Sequence, residues 1–404
     1  MTARLTVLGG SSPSTAALIE ALAVVNGPPF RSEITLYGRD AGRLDAMARF
    51  ARARLGRHVA SVRSSGRLEE ALDGATLVLS QIRYGGLAGR AADEAFAEAF
   101  GLAADETLGP AALRCALRIA PALADLGRAL HRFCPDARVI NLINPLSVST
   151  AILVSSGARC VGVCELPLVT AREAARALAV PFASLDWTYS GLNHRGFIHR
   201  LTIGGRDQLP RLLARLGKGT LNGISRRVIE ELGAIPLKHF QLLQPGTRPA
   251  PGRAAFLSRL GSDVFRELDA THTVPPPSLA RRDARWYPDA VVPAIVALTS
   301  ITPQRLVMNV PRDRDVVVEV KADVSADAVV PVAAPRPNDR VAAWLDRFER
   351  HERAVLRAVA EPEVDSLLTA LDADPMLTNV DVAPIARALC GCVQEESTPS
   401  WAFV

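Results

Sequence analysis

A short apolar run, Arg4–Leu8, leads directly into Gly9-Gly10-Ser11-Ser12 and then into a helical pattern. Small residues at such a turn let the backbone approach a pyrophosphate. The free N–H groups and positive dipole end of the following helix then face the anion. In VLGGSSPSTAALI, Thr15 stands where a dinucleotide fingerprint has a third glycine, and a tight turn in a non-binding domain uses the same residues. Gly9, Gly10, Ser11, Ser12 and Thr15 are the candidate cofactor contacts. The second strand ends Tyr37-Gly38-Arg39-Asp40. An NAD site places an acid there to hold the ribose diol. Arg39, with Arg43 nearby, suits a 2′-phosphate instead, which leaves NADP open beside NAD.

These residues need a scaffold that brings strand ends together. The first 140 residues alternate strand and helix: strands at Arg4–Leu8, Glu33–Tyr37, Val59–Val62, Ala75–Ser80 and Arg138–Ile143, with helices through Ala23, over Ala41–Leu55 and over Ala111–Phe133. Ala158–Val163 adds one more strand. Alternation of this kind predicts an α/β fold, a Rossmann-like doubly wound parallel sheet with ligands beyond the C-terminal strand ends. After Leu168 the pattern changes, so we expect residues 1–168 to form the dinucleotide domain and 169–404 a C-terminal α+β substrate and oligomerisation domain. There the sequence predicts helices at Thr170–Ala179, Leu209–Leu232, Asp339–Val359 and Glu363–Ala373. Strands and turns are expected over Trp187–Gly204, Pro-rich loops at Pro245–Pro251 and Pro275–Pro277, and an edge or surface strand at Asp315–Val320.

Composition narrows the class. Nearly all the positive charge is arginine, since Lys218, Lys238 and Lys321 are the only lysines, and no basic stripe interleaved with aromatics suggests nucleic acid. No apolar run is long enough for a bilayer. A strand begins almost at the first residue and six cysteines are scattered, so a cytoplasmic protein with reduced thiols is expected. Cys390-Gly-Cys392 fits the buried face of a helix better than a metal pair.

From Ala75 onward several motifs recur in order: SQIRYGGL at Ser80–Leu87, Arg90, Asp93-Glu94, Glu106-Thr107, Gly109-Pro110, INLINP, GVCELP around Cys164, GLNH at Gly191–His194, and LVMNV at Leu306–Val310. Together with the Gly-Gly-Ser turn, they resemble glycoside hydrolase family 4 across nearly the whole chain. That family is an exception to the two-carboxylate rule of glycosidases. The resemblance implies oxidation of the sugar at C3 with NAD, removal of the C2 proton, elimination, water addition and return of the hydride. It also implies a divalent metal, manganese being usual.

Residue by residue, the resemblance makes Cys164 and His194 the metal ligands, a thiolate and an imidazole. It assigns Asn144, Arg90 and Asn193 to the substrate, and Arg253 to a sugar phosphate, for which the planar guanidinium fork is suited. Glu165, directly after the ligand cysteine, becomes the candidate acid. The chain departs from the family at the base. GAIPLKHFQLLQ carries no tyrosine where the family has its catalytic one, and His239 falls in that place. An imidazole has a suitable pKa for the task. A family-4-type glycosidase acting on a glycoside, 6-phosphorylated or not, is the leading expectation. The alternatives are an NAD(P)-dependent sugar dehydrogenase, epimerase or lyase that uses part of the cycle, and a non-catalytic NAD-binding relative. A small-molecule sugar or sugar phosphate is the expected partner, within a homodimer or homotetramer and with neither nucleic acid nor membrane.

Overall fold

A computed structural model describes residues 3–24, 32–56, 59–243, 252–313 and 315–396. Six parallel strands form its N-terminal part: β1 Arg4–Leu8, β2 Glu33–Tyr37, β3 Ser61–Ser65, β4 Leu77–Ser80, β5 Arg138–Asn141 and β6 Arg159–Gly162. Their order is β3-β2-β1-β4-β5-β6, the doubly wound order that reverses beside β1. β1, β2 and β4 are almost wholly buried, which is why they read as unbroken apolar runs rather than alternating ones.

Helices cover both faces. α1 Ser14–Val24 and α2 Ala41–Leu55 follow β1 and β2, and α3 Leu68–Leu72 follows β3. α4 Gly86–Ala99 and α5 Gly109–Phe133 follow β4, then come α6 Leu146–Ser155 and α7 Leu166–Leu178. Asp40 caps α2, its carboxylate accepting from the Arg43 N–H at 3.0 Å. One core joins β1, β2, α1 and α2 to residues far along the chain, including Leu257, Val264, Ile295 and Met308. A second packs α5 and α6 on β4 and β5 through Leu123, Leu126, Val139 and Leu153.

The sheet does not stop at β6. An antiparallel extension continues through Gln304–Asp313, Val316–Val324, β7 Asp186–Leu192, β8 Arg195–Ile203 and Ile235–Pro236, so that the main sheet has 13 described strands. Val316–Val324 is thus an interior strand, not the edge or surface strand expected over Asp315–Val320, and Glu319 is fully buried in it. The alternation that suggests an exposed face comes from a carboxylate whose partners are polar side chains of neighbouring strands. Leu209–Leu232 is also not one helix. Leu209–Leu216 and Arg226–Leu232 are separate, joined by a small hairpin, Thr220–Leu221 with Ile224–Ser225. Asn222 and Gly223 have φ of 51° and 81°, the left-handed pair that a tight hairpin turn requires. The Pro245–Pro251 loop expected from the sequence lies outside the described residues. Among the described residues, no helix is long and apolar enough to cross a membrane.

Candidate active site

A groove of about 1660 Å³ lies beyond the C-terminal ends of the parallel strands. Its walls include Gly9, Ser11 and Ser12 after β1, Arg39 after β2, Asn144 after β5 and Cys164-Glu165 after β6. Asn193 and His194, in the β7–β8 turn, also line it, as do Arg90, His239 and Arg253. Residues from across the chain therefore meet in one cavity, because the sheet aligns the strand ends that precede them.

The turn after β1 is closely fitted. The N–H groups of Gly9 and Gly10 donate to the Tyr37 carbonyl at 3.1 and 2.6 Å. A Cβ on Gly10 would lie 2.8 Å from the Leu36 Cβ and 3.0 Å from the Tyr37 nitrogen. Gly9 has φ of 93°. Thr15 is fully buried beneath the turn. Its hydroxyl donates to the Gly9 carbonyl at 3.2 Å and accepts from the Gln81 amide at 2.9 Å. Thr15 and Gly10 thus shape the turn from behind, while Gly9, Ser11 and Ser12 face the groove. The Tyr287 hydroxyl completes the chain by donating to Gln81 Oε1 at 2.7 Å. The small residues and the start of α1 fit a dinucleotide pyrophosphate.

At the other end, His194 adopts φ of 63° in the β7–β8 turn. Its Nδ1 lies 2.9 Å from the Thr107 hydroxyl, and Nε2 has no hydrogen-bond partner among the described residues. Cys164 is buried, and burial pushes its thiol well above the ordinary value; the nearby carboxylates of Glu165 and Glu319 add to this. Thiolate and imidazole suit a borderline transition metal. Among the described residues, no third histidine, cysteine or carboxylate completes such a cluster, so substrate oxygens or water would fill the remaining positions. The donors present fit an open metal site.

His239 lies face to face with His194, ring centroids 4.1 Å apart at 9°. Burial holds its imidazole down at about 4 against the partial opposition of Asp105, whose Oδ2 is 4.0 Å from Nε2. The ring is therefore neutral near pH 7, and its buried Nδ1 has no partner among the described residues. Burial raises the carboxyl of Glu165, with Lys238 among the groups that oppose the shift. This favours the protonated form that a general acid needs.

A cationic cluster flanks these groups. Burial opposes ionisation of Glu106, but the charges of Arg83 and Arg90, with hydrogen bonds from Arg83 and Asn144, hold its carboxyl down at about 2. Arg83 donates to Glu106 at 2.9 Å, Asn144 at 3.2 Å, and Arg90 also pairs with it while donating to Glu94 at 2.6 Å. Arg253 is exposed at the start of the helix Arg253–Ala270, its guanidinium 5.1 Å from the Phe256 ring. Arg282 was not foreseen. It stacks 4.6 Å above Trp286, and burial, with the nearby Arg253 and Arg83, lowers it to about 10. In ARRDARWY it cannot be told from a surface arginine.

Other unforeseen groups act from behind. Glu319, pushed up to about 7 by burial, accepts from Tyr189 at 2.5 Å, Asn309 at 2.8 Å and Asn193 at 3.2 Å. Thr107 holds His194, as above. The sequence marks Glu106-Thr107 as part of a motif but gives neither residue a task.

Two family descriptions cover most of the chain. "Family 4 glycosyl hydrolase" matches residues 4–180, and "Family 4 glycosyl hydrolase C-terminal domain" matches 189–377. The 6-phospho-beta-glucosidase of Escherichia coli K12 is 26% identical over 359 residues, covering 79% of this chain and 78% of that protein. The 6-phospho-beta glucosidase from Thermotoga maritima, solved with manganese, NAD+ and glucose-6-phosphate, superposes with a TM-score of 0.84 at 22% identity over 98% of both chains. A 6-phospho-alpha-glucosidase from gut microorganisms, in complex with NAD and Mn2+, gives 0.82 at 18% identity over 99% of both. The last two likenesses speak for the fold. With the family descriptions spanning both the dinucleotide turn and the Cys164–His194 pocket, this chain belongs to the family 4 glycosyl hydrolases.

Proposed function

We propose that this chain cleaves a 6-phosphorylated glycoside by a redox–elimination cycle, with residues 1–168 carrying the dinucleotide and 169–404 completing the metal and sugar pocket. The observation that carries the reading is the meeting of Cys164, His194 and His239 in the groove that also holds the Gly9–Ser12 turn. Relatives named as 6-phospho-glucosidases, one solved with glucose-6-phosphate, support the substrate class.

Cys164 and His194 would hold the divalent ion, and the Gly9–Ser12 turn the dinucleotide. When bound, these groups supply reversible hydride transfer at C3 and polarisation of the sugar oxygens. A C3 ketone acidifies the C2 hydrogen, and the neutral imidazole of His239 takes that proton. The C1–O bond then breaks, and protonated Glu165 gives its proton to the leaving oxygen. Water then adds at C1 and gives a proton to the Glu165 carboxylate, and the imidazolium of His239 returns its proton to C2, so both residues end as they began. Asn144 and Arg90 hold sugar hydroxyls, held in place themselves by Glu106. Asn193 orients the pocket from its hydrogen bond to Glu319. Arg253 and Arg282 face the phosphate, and the guanidinium of Arg282 is kept in place by Trp286.

The test uses chromogenic 6-phospho-α- and β-glucosides with oxidised dinucleotide and Mn²⁺, in D₂O. The reading expects product with no net reduced cofactor and deuterium at C2. A second reading, a dehydrogenase or epimerase that stops partway, is favoured by histidine in place of the family's tyrosine. It expects reduced cofactor in proportion to sugar, or inverted sugar without release of the aglycone.

A further inference from the structure

We propose that the adenosine end of the groove selects a 2′-phosphorylated dinucleotide, NADP(H), over NAD(H), with Arg39 as the group that binds the phosphate. The inference rests on the dinucleotide reading of the Gly9–Ser12 turn. In this fold the residues at the end of β2 meet the adenosine ribose, where an acid holds the 2′- and 3′-hydroxyls and an arginine accommodates a 2′-phosphate.

No free acid occupies that place. β2 ends at Tyr37, and Gly38 follows it. A Cβ on Gly38 would lie 2.4 Å from the Ser11 hydroxyl oxygen and 3.0 Å from the Ser11 nitrogen. Ser11 belongs to the pyrophosphate turn, so no aspartate or glutamate fits at 38 without moving it. Asp40, the nearest acid, is already engaged: one oxygen caps α2 at the Arg43 N–H and the other lies 3.3 Å from the Arg43 guanidinium.

The remaining charge at this end is positive. Arg39, Arg43 and Arg67 line the groove there, with Asp40 and Glu69. Arg43 is paired with Asp40, and Arg67 lies 3.7 Å from Glu69 and 3.2 Å from Glu70. Arg39 is exposed and has no carboxylate within ion-pair distance among the described residues. A ribose diol offers this guanidinium only neutral hydroxyls, whereas a phosphate offers it charge-assisted, bidentate contact.

Binding decides the matter without reference to turnover. Fluorescence titration of the purified chain with NADPH and NADH, and calorimetry with 2′,5′-ADP and ADP, compare ligands that differ by one phosphate. We expect the phosphorylated member of each pair to bind at least about tenfold tighter at low salt, the gap narrowing as salt screens it. Arg39→Glu should reverse the preference, and circular dichroism checks that this exposed substitution leaves the fold intact. Equal or tighter binding of NADH, or a preference that survives Arg39→Glu, overturns the assignment while the dinucleotide reading stands. Failure of every one of these ligands to bind overturns both.

Discussion

Arg195 follows His194 and carries a buried ion pair whose removal should be costly. Its guanidinium pairs with Glu352 and donates to His351 Nδ1 at 2.9 Å, with 8% and 2% of the Arg195 and Glu352 side chains exposed. Burial lowers the pKa of His351, so its neutral ring accepts that bond and returns no charge. Glu352→Leu leaves a buried guanidinium with a single neutral partner, and Arg195→Met leaves a buried carboxylate, each at a cost of about 3–5 kcal/mol. By the entropy scaling for a chain of this length, the melting temperature should fall by about 4–6 °C. Replacing both charges, Arg195→Met with Glu352→Leu, puts apolar groups beside Phe348, over which the guanidinium lies at 5.9 Å. With each single variant costing about 3–5 kcal/mol, a double variant within about 1 kcal/mol of the parent gives a coupling of at least about 5 kcal/mol. Urea unfolding of the four proteins measures the cycle. Mn²⁺ affinity follows whether His194 is displaced in the single variant and restored in the double. A single-variant cost below about 1 kcal/mol, or a double variant that loses the sum of both singles, would refute this reasoning.

Gly10→Ala should cost about 1–3 kcal/mol in urea, because its Cβ meets Leu36 at 2.8 Å, and should weaken dinucleotide binding more than stability. Thr107→Val removes the hydroxyl beside His194 Nδ1 at nearly constant volume. Calorimetry should show Mn²⁺ affinity falling by about 10- to 100-fold, with Thr107→Ser restoring it. Glu106, at about 2 in the folded chain, has a depressed carboxyl. Its stabilisation is present above the unfolded value near 4.5 and is lost as pH falls through about 2. Glu106→Gln should therefore lower stability by about 2–3 kcal/mol at neutral pH, the difference from the parent vanishing toward pH 2. A constant difference across that range in pH-dependent urea midpoints would contradict this sign.

Much of the N-terminal half is legible in the sequence because its information is local. Buried parallel strands must be apolar on both faces, so Arg4–Leu8 and Glu33–Tyr37 show themselves without reference to any partner. The glycine turn is legible for the same reason: a Cβ there would collide with the neighbouring strand. The resemblance to family 4 marks Cys164, His194, Asn144 and Arg90, and the fold brings all four to one groove. The break in Leu209–Leu232 is written in Asn222-Gly223, although helical periodicity on either side hides it.

Tertiary structure alone decided the rest, because charge and polarity have no address until partners distant in the chain meet them. Glu319 looks like the exposed residue of an edge strand, yet it is buried where Tyr189, 130 positions away, donates to it. Arg195 and Glu352 look like ordinary surface charges and meet across 157 positions. His239 gains its chemical character only from burial against His194 and beside Asp105. The sequence by itself determined which faces avoid water and where the backbone must turn. Only the packed sheet decided which buried charges are paired, which imidazoles meet in the groove, and that Arg39 stands without a carboxylate partner among the described residues at the end of β2.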